Sequence, residues 1–362
     1  MNDSVKIPFY AKASLILIGG FVFISMLFIA QHIIIPIIYS TIIAILLSPL
    51  VDFFVRKKIN RIIAIATSLA LVSMISVLFI GLLGSQLSMF AESFPKLLDK
   101  FDETLKRCVI WAADYFNISV RKCNIYITDT KTEILNYSKS LIGSTLTTIA
   151  SGLVVLVLVP VYVFMILFYK PLLLEFIRRL FSINHIKEVN EILFSTKTII
   201  QRYLIALLFE AAIIATLNSI GLLALGIDYA ILLGIIGAIL NVIPYIGGII
   251  AVALPMIIAF STKSSPTDAL LVLIVYVIIQ FIDNHYVIPK VVASKVKING
   301  FISIVVVLAG GALWGIPGMF VSIPLTAIIK VIFDRIDSLK PWGFLLGDTM
   351  PPIAVFKIKT IK

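Results

Sequence analysis

Asn241-Val-Ile-Pro-Tyr-Ile-Gly-Gly248 interrupts an apolar run that extends from Ile231 to Phe260. Gly310-Gly-Ala-Leu-Trp-Gly-Ile-Pro-Gly318 interrupts a second run, Phe301 to Ile332, in the same way. Each run is about 30 residues, longer than the ~20 that one upright helix needs to cross the hydrocarbon core. Each also carries helix breakers where a lipid-facing span tolerates them least. Backbone groups released by Gly and Pro find no water in hydrocarbon, so broken helices persist only against protein or around a wet cavity. Two such segments in corresponding positions point to a solute site built between half-helices.

The composition places the rest of the chain in the same setting. Of 362 residues, 60% are hydrophobic and 14% charged, against about 25% charged in soluble domains, and the mean hydropathy is +1.11. A net charge of +11 would suit nucleic acid, but the basic residues cluster beside apolar runs, as at cytoplasmic membrane edges. This excludes nucleic acid as a partner and makes the lipid bilayer the expected one. Ala13–Ala30 is too long for a signal-peptide core and another apolar run follows at once, so it is expected to remain as an anchor.

Working outward from the two interrupted runs, apolar segments fall at Ala13–Ala30, Ile33–Leu50, Ile62–Gly84, Leu141–Tyr169, Tyr203–Leu225 and Ala269–Ile282. The first two read as a tight helical hairpin with Pro36 in the first turn of the second helix; Pro160 predicts a kink in Leu141–Tyr169. The fold class is therefore all-α, a polytopic membrane protein of about eight membrane segments. The expected organisation is residues 1–84 as an N-terminal scaffold, 85–140 as an extracytoplasmic amphipathic region, 141–202 as a span plus basic loop, 203–335 as a transport core, and 336–362 as a C-terminal tail. Leu87, Phe90, Phe94, Leu97, Leu98, Phe101, Leu105 and Val109 recur at helical spacing; they suit a helix lying on a membrane or protomer face, or else a ligand-binding module.

Orientation follows from Lys and Arg. With both termini cytoplasmic, 21 of the 30 Lys and Arg residues fall inside, provided that Ile231–Phe260 enters and leaves on the outer side and Phe301–Ile332 on the inner side. If both crossed fully, Lys290, Lys295 and Lys297 would lie outside. The pattern thus predicts two opposed re-entrant hairpins, and an inverted repeat in which Tyr203–Leu225 and Ala269–Ile282 each precede one hairpin.

Ionisable residues within spans default to functional hypotheses. Glu210 lies among Leu207, Leu208, Ile213 and Ile214. An apolar environment disfavours the charged carboxylate, which makes Glu210 a candidate proton carrier or cation ligand; the plain alternative is a structural glutamate bonded to backbone or paired with Arg202. Gln280, Asp283 and Asn284 share a helix face by their spacing, with Pro289 expected to end that helix. Asp283 joins Glu210 as a candidate for ion or proton coupling, and Gln280, Asn284 and Asn241 for solute contact; the alternative is an interfacial helix cap. His285 reads as an interfacial residue. At the tips, Pro244, Tyr245, Gly247 and Gly248, and Gly310, Gly311, Gly315, Pro317 and Gly318, offer close backbone approach and unpaired carbonyls, or simply tight helix packing. No phosphate loop of the G-x-x-x-x-G-K-[ST] form, no H-E-x-x-H and no G-x-S-x-G occurs, so no catalytic residue, metal site or cofactor is expected. Cys108 and Cys123 allow a bridge or two free thiols equally. The N-x-S strings at Asn117 and Asn136 carry no weight alone.

The strings Asn241-Val-Ile-Pro-Tyr-Ile-Gly247, Gln280-Phe-Ile-Asp-Asn284 with Pro289-Lys290, and Gly310-Gly-Ala-Leu-Trp-Gly-Ile-Pro-Gly318 ending in Pro324 resemble, in order and spacing, the autoinducer-2 exporter (AI-2E) transporter family. The likeness in motifs covers about Tyr203–Phe333, and the N-terminal spans match in layout. Pro317 stands where the family often has another residue, while the acidic position near Asp283 is kept. The resemblance implies a bacterial inner-membrane permease with about eight segments, assembled as a homo-oligomer, a pentamer being one form. It also implies a small polar solute such as a signalling molecule, or exchange of sodium or lithium for protons, as the cargo. A non-transporting membrane scaffold and a passive channel are the competing readings.

Overall fold

A computed structural model describes residues 8–116, 157–182, 185–243, 246–263, 266–293 and 298–349. Pro244, Tyr245, Cys123, Asn117, Asn136, Lys295, Lys297 and residues 141–156 of the Leu141–Tyr169 span lie outside the described residues. Among the described residues every regular element is a helix: α1 (Phe9–Ile29), α2 (Gln31–Arg56), α3 (Arg61–Phe116), α4 (Val157–Arg179), α5 (Ile186–Ala224), α6 (Ala230–Asn241), α7 (Ile246–Lys263), α8 (Pro266–Ile282), α9 (Gly300–Arg335) and α10 (Lys340–Leu346). Seven stretches are long and apolar enough to cross a membrane, and α6 and the latter part of α7 are shorter apolar helices. α1 buries none of its residues inside the chain although Phe9, Leu17, Phe21 and Ile29 are all large and apolar. Such a surface belongs against lipid, and the chain is an all-α polytopic membrane protein.

Several local expectations change. α3 runs without interruption for 56 residues, about 84 Å at 1.5 Å per residue, so the expected boundary at residue 84 falls inside one helix. The Tyr203–Leu225 span is likewise the second half of α5. Pro36 lies inside α2 rather than in its first turn. Pro289 does not end the helix after α8: the chain continues as a wide-turned π-helix over Asp283–Ala293.

The fold divides into two compact units. The first comprises residues 1–173, 257–268 and 309–321, and the second residues 174–256, 269–308 and 322–362. The core of the first unit joins Ala44, Leu47 and Val51 of α2 to Ala64 and Ile65 of α3 and Val163 and Leu167 of α4. Polar side chains pin these helices to one another. Arg61 donates to the Leu167 carbonyl at 2.7 Å, and Lys170 donates to the Ser48 hydroxyl at 3.1 Å. In the second unit α5 packs along α6 and against the π-helix. A Cβ on Gly234 would collide with Ser219, and one on Gly221 would lie 2.6 Å from Val275 Cγ1; bare glycines are what let these helices approach so closely.

Both interrupted runs fold back on themselves. A Cβ on Gly247 would strike the carbonyl of Leu240. Seven residues of continuous helix would separate those positions by about 10 Å, so α6 and α7 reverse between them. In α9 the backbone leaves helical geometry at Trp314 (φ −133°, ψ 15°) and Gly315 (φ 65°, ψ −149°), and a Cβ on Gly318 would strike the carbonyl of Gly310. The far ends of α9 agree. Asn299, at its start, donates to the carbonyls of Leu345 at 2.7 Å and Gly347 at 3.0 Å, and Asp334, near its end, packs against Gly343. A straight helix of 36 residues would hold its ends about 50 Å apart, beyond the reach of one short segment. The tip of α9 is bonded within the first unit, where the Trp314 indole donates to the Leu27 carbonyl at 3.1 Å and the Tyr39 hydroxyl to the Pro317 carbonyl at 3.1 Å.

Candidate functional site

Three helices of the second unit bring polar side chains into an apolar interior. α5 presents Tyr203, Glu210 and Asn218 on its buried stripe, together with Ile214 and Leu222. The steps of three and four residues along that stripe keep them on one face. α6 ends at Asn241, next to the fold-back. α8 and the first π turn present Tyr276, Ile279, Gln280 and Asp283 to the same side.

Asp283 is fully buried and Glu210 nearly so. The Asn241 amide donates to Asp283 Oδ2 at 2.8 Å. Asp283 Oδ1 is buried without a hydrogen-bond partner. The two carboxyls lie near enough to feel each other's charge, and Tyr203 lies near enough to feel that of Glu210. Gly248 completes this layer: a Cβ there would sit 3.2 Å from Gln280 Oε1 and 3.6 Å from Asn241 Oδ1, so its bare backbone admits both amides. Two buried carboxyls in one apolar region cannot both stay charged and unpaired. The chemistry open to them is to hold a proton, a monovalent cation or a donor group of a solute. Among the described residues no group of three or more His, Cys, Asp and Glu is placed to hold a metal ion.

The sequence candidates therefore divide. Glu210, Asn241, Gly247, Gly248, Gln280 and Asp283 all lie in the second unit about the first fold-back. Asn284 is exposed, one position past the buried aspartate. His285 is exposed too, stacked on Phe281 with ring centroids 4.1 Å apart. Arg202 is exposed while Glu210 is buried, which removes the paired-arginine alternative. Gly310, Gly311, Gly315, Pro317 and Gly318 belong to the first unit. There Gly310 and Gly318 form the close backbone contact, Gly311 packs on Met319 and Gly315 supplies the left-handed turn. Sequence reasoning missed Asn218 and Tyr276. Both were within reach of it, since Asn218 is eight residues from Glu210 and Tyr276 seven from Asp283, on the same helix faces.

The sequence profile of AI-2E family transporters matches residues 14–338. The chain belongs to the AI-2E transporter family. The chain is 25% identical to "AI-2 transport protein TqsA" of Escherichia coli (strain K12) over 328 residues, 88% of this chain and 90% of that protein. It is 35% identical to "Putative transport protein YueF" of Bacillus subtilis (strain 168) over 126 residues, which span 35% of this chain and only 34% of that protein. "Putative permease PerM" of Escherichia coli (strain K12) is 28% identical over 53% of each chain. These are relatives of a membrane transporter family, and the chain is a multi-pass member of it.

Proposed function

We propose that the chain is a secondary transporter of the bacterial inner membrane. Its cargo is a small polar solute such as a signalling molecule, or cations exchanged for protons. The observation that carries this reading is the buried carboxyl pair Glu210 and Asp283, with Asp283 Oδ1 unpartnered beside the α6–α7 fold-back. A buried acceptor without a partner costs about 1–3 kcal/mol, more when charged, and a transported proton or cation offsets that cost when it arrives. The near full-length alignment with a relative named for AI-2 transport supports the same class of activity.

In this reading α6–α7 enters the bilayer from outside and α9 from the cytoplasm, with both termini cytoplasmic and the protein a homo-oligomer. Glu210 and Asp283 couple the proton or cation. Asn241, Gln280 and the backbone at Gly247 and Gly248 contact the solute, and Pro244, Tyr245, Gly310, Gly311, Gly315, Pro317 and Gly318 are further candidates for solute contact or gating. Residues 203–335 carry transport and residues 1–84 and 85–140 the surrounding frame.

The test is flux in proteoliposomes of the full chain, with imposed sodium and proton gradients and a pH-sensitive dye inside. Glu210→Gln should abolish proton movement driven by sodium while inserting normally. Unchanged movement removes Glu210 from coupling. Conductance in planar bilayers that persists without either gradient partner identifies a channel, and an absence of any flux with an intact fold favours the scaffold.

A further inference from the structure

The two ends of α9 are joined by the short helix that follows it. At one end, the Asn299 amide N–H donates to the Leu346 carbonyl at 3.1 Å, and its side chain donates to the carbonyls of Leu345 and Gly347. At the other end, Asp334 lies against Gly343, where any Cβ would collide with its carboxylate. α10 (Lys340–Leu346) is therefore a crossbar about 10 Å long laid across the open end of the hairpin. Both attachment points flank the apolar run Phe301–Ile332, and the ends of an apolar run mark where a segment leaves hydrocarbon. α10 thus lies level with the edge of the bilayer.

A helix surrounded by water at that level would turn a polar side outward, and α10 does not. Gly343 is its buried point of contact, whereas Trp342, Phe344 and Leu345 are each more than half exposed, and Pro341 is exposed as well. Its one charged residue, Lys340, is paired with Asp337 at 2.6 Å. Lys330 and Arg335 are paired too, with Asp334 at 2.5 Å and Glu191 at 2.6 Å. What α10 offers outward is an indole, a phenyl ring and a leucine. An indole favours the headgroup level, where its ring meets apolar chains and its N–H meets polar groups. Exposed Phe301 and Ile336, one beside each attachment point, continue this apolar surface onto the limbs of the hairpin.

We infer that α10 is an interfacial anchor: Trp342, Phe344 and Leu345 insert into the boundary between lipid headgroups and acyl chains and pin the mouth of the α9 hairpin to the bilayer surface. Lipid is the occupant because the exposed face is continuous with the lipid-facing limbs of α9 and lies where those limbs leave the membrane. A helix about 10 Å long is too short to cross the hydrocarbon, but it can lie in the interface with its apolar side about 5–10 Å deep. Because the cations around it are paired, apolar burial holds it rather than attraction to anionic lipid. Residues 336–346 then belong to the membrane surface and not to a free tail. The inference goes beyond the permease reading and requires only that α9 is a membrane hairpin.

The test uses the full chain in phosphatidylcholine nanodiscs, with Cys108→Ser/Cys123→Ser and one spin label at a time on Phe344→Cys, Leu345→Cys or, as the aqueous reference, Asp337→Cys. It reads collision of the label with oxygen, which concentrates in lipid, against collision with a water-soluble nickel chelate. The oxygen-to-nickel ratio should be several-fold higher at Phe344→Cys and Leu345→Cys than at Asp337→Cys, and unchanged when anionic phosphatidylglycerol is added. Nickel collision equal at all three positions places α10 in water and overturns the anchor. Protection from both reagents also overturns it, with spin–spin broadening identifying a second copy as the cover and its absence another part of this chain. A ratio that rises only with phosphatidylglycerol makes charge the attraction and overturns apolar burial. The native indole gives a reading that no label disturbs. The fluorescence component removed by Trp342→Phe should be quenched more by lipids brominated near the headgroup than by lipids brominated at the chain end. Quenching by neither, or more by the chain-end bromines, overturns the interfacial position.

Discussion

Replacing Asn241 with Leu removes the one hydrogen-bond donor among the described residues that reaches Asp283 Oδ2, at 2.8 Å, from a carboxyl whose other oxygen has none among them. The aspartate then keeps its burial and loses its partner. Hydrogen bonds to charged groups contribute about 1.5–3 kcal/mol in soluble proteins. Polar pairs inside membrane proteins average nearer ~0.6 and reach ~1.7 kcal/mol. A carboxylate with a sole donor belongs at the upper end of the membrane range, so Asn241→Leu should destabilise the chain by about 1.5 kcal/mol. Asp283→Leu strands the Asn241 amide instead, at a smaller cost because the amide is neutral and only part-buried. The double variant replaces both partners by apolar groups, which is nearly neutral when the shapes are kept. It should therefore be more stable than Asn241→Leu alone, with a coupling of about 1 kcal/mol in the double-mutant cycle. The assay is unfolding of the full chain in mixed micelles titrated with SDS, followed by tryptophan fluorescence. If the two single effects add to within about 0.5 kcal/mol, the bond contributes nothing to the folded chain and the charge-holding role of this layer fails with it.

Gly315→Ala meets open space, so its cost is conformational only, about 1–3 kcal/mol for a non-glycine in that backbone region; Gly318→Ala must displace the Gly310 carbonyl and should be the worse of the two by size-exclusion and melting temperature, the reverse order refuting the fold-back of α9. Asn299→Ala removes the cap that accepts from the Ile302 amide at 2.8 Å as well as both bonds to the α10 end. It should cost about 1 kcal/mol for the cap alone and expose Phe344 to limited chymotrypsin digestion, whereas an unchanged digestion pattern means that α10 is held elsewhere. In a Cys108→Ser/Cys123→Ser background, Ile298→Cys and Asp337→Cys should label from the same side of the membrane with an impermeant maleimide and Lys263→Cys from the other. Labelling of positions 298 and 337 from opposite faces contradicts the return of α9.

The breaks were legible because Gly and Pro inside 30-residue apolar runs have few structural meanings, and the fold-backs are the one that lets the freed backbone groups pack on protein. The carboxyls were legible for a similar reason, since a charge among leucines and isoleucines is expensive enough to stand out. Asn218 and Tyr276 are polar but uncharged, and an asparagine or tyrosine in a membrane helix has many uses, so neither stands out in the sequence. Asn284 shows the converse. Its spacing from Gln280 fits an α-helical face, but the chain widens to π turns at Asp283 and the register of a 3.6-residue helix no longer applies. The length of α3 was hidden because its apolar half ends where its amphipathic half begins, and a change of composition is not a change of backbone. The bond from Trp314 to Leu27 spans 287 positions in sequence, and no local pattern carries such a pairing.

The two tips are not chemically equivalent, and that constrains any alternating mechanism. The α9 tip is held by an indole and a phenol donating to backbone carbonyls. Leu27 is among the last residues of α1, whose carbonyls lack partners within the helix, so Trp314 satisfies a group that would otherwise be stranded in lipid. Neither bond changes when a proton or a cation arrives. The α6–α7 tip is held through Asn241 to a carboxylate, and a hydrogen bond to a carboxylate weakens when that carboxylate is neutralised, because its charge assistance is lost. A ligand shifts a conformational equilibrium only through differential interaction with the two states. On the contacts of these two tips, only the first has such an interaction to offer. In the proposed mechanism a proton or cation therefore acts at the α6–α7 tip, the one of the two whose described contacts include an ionisable side chain.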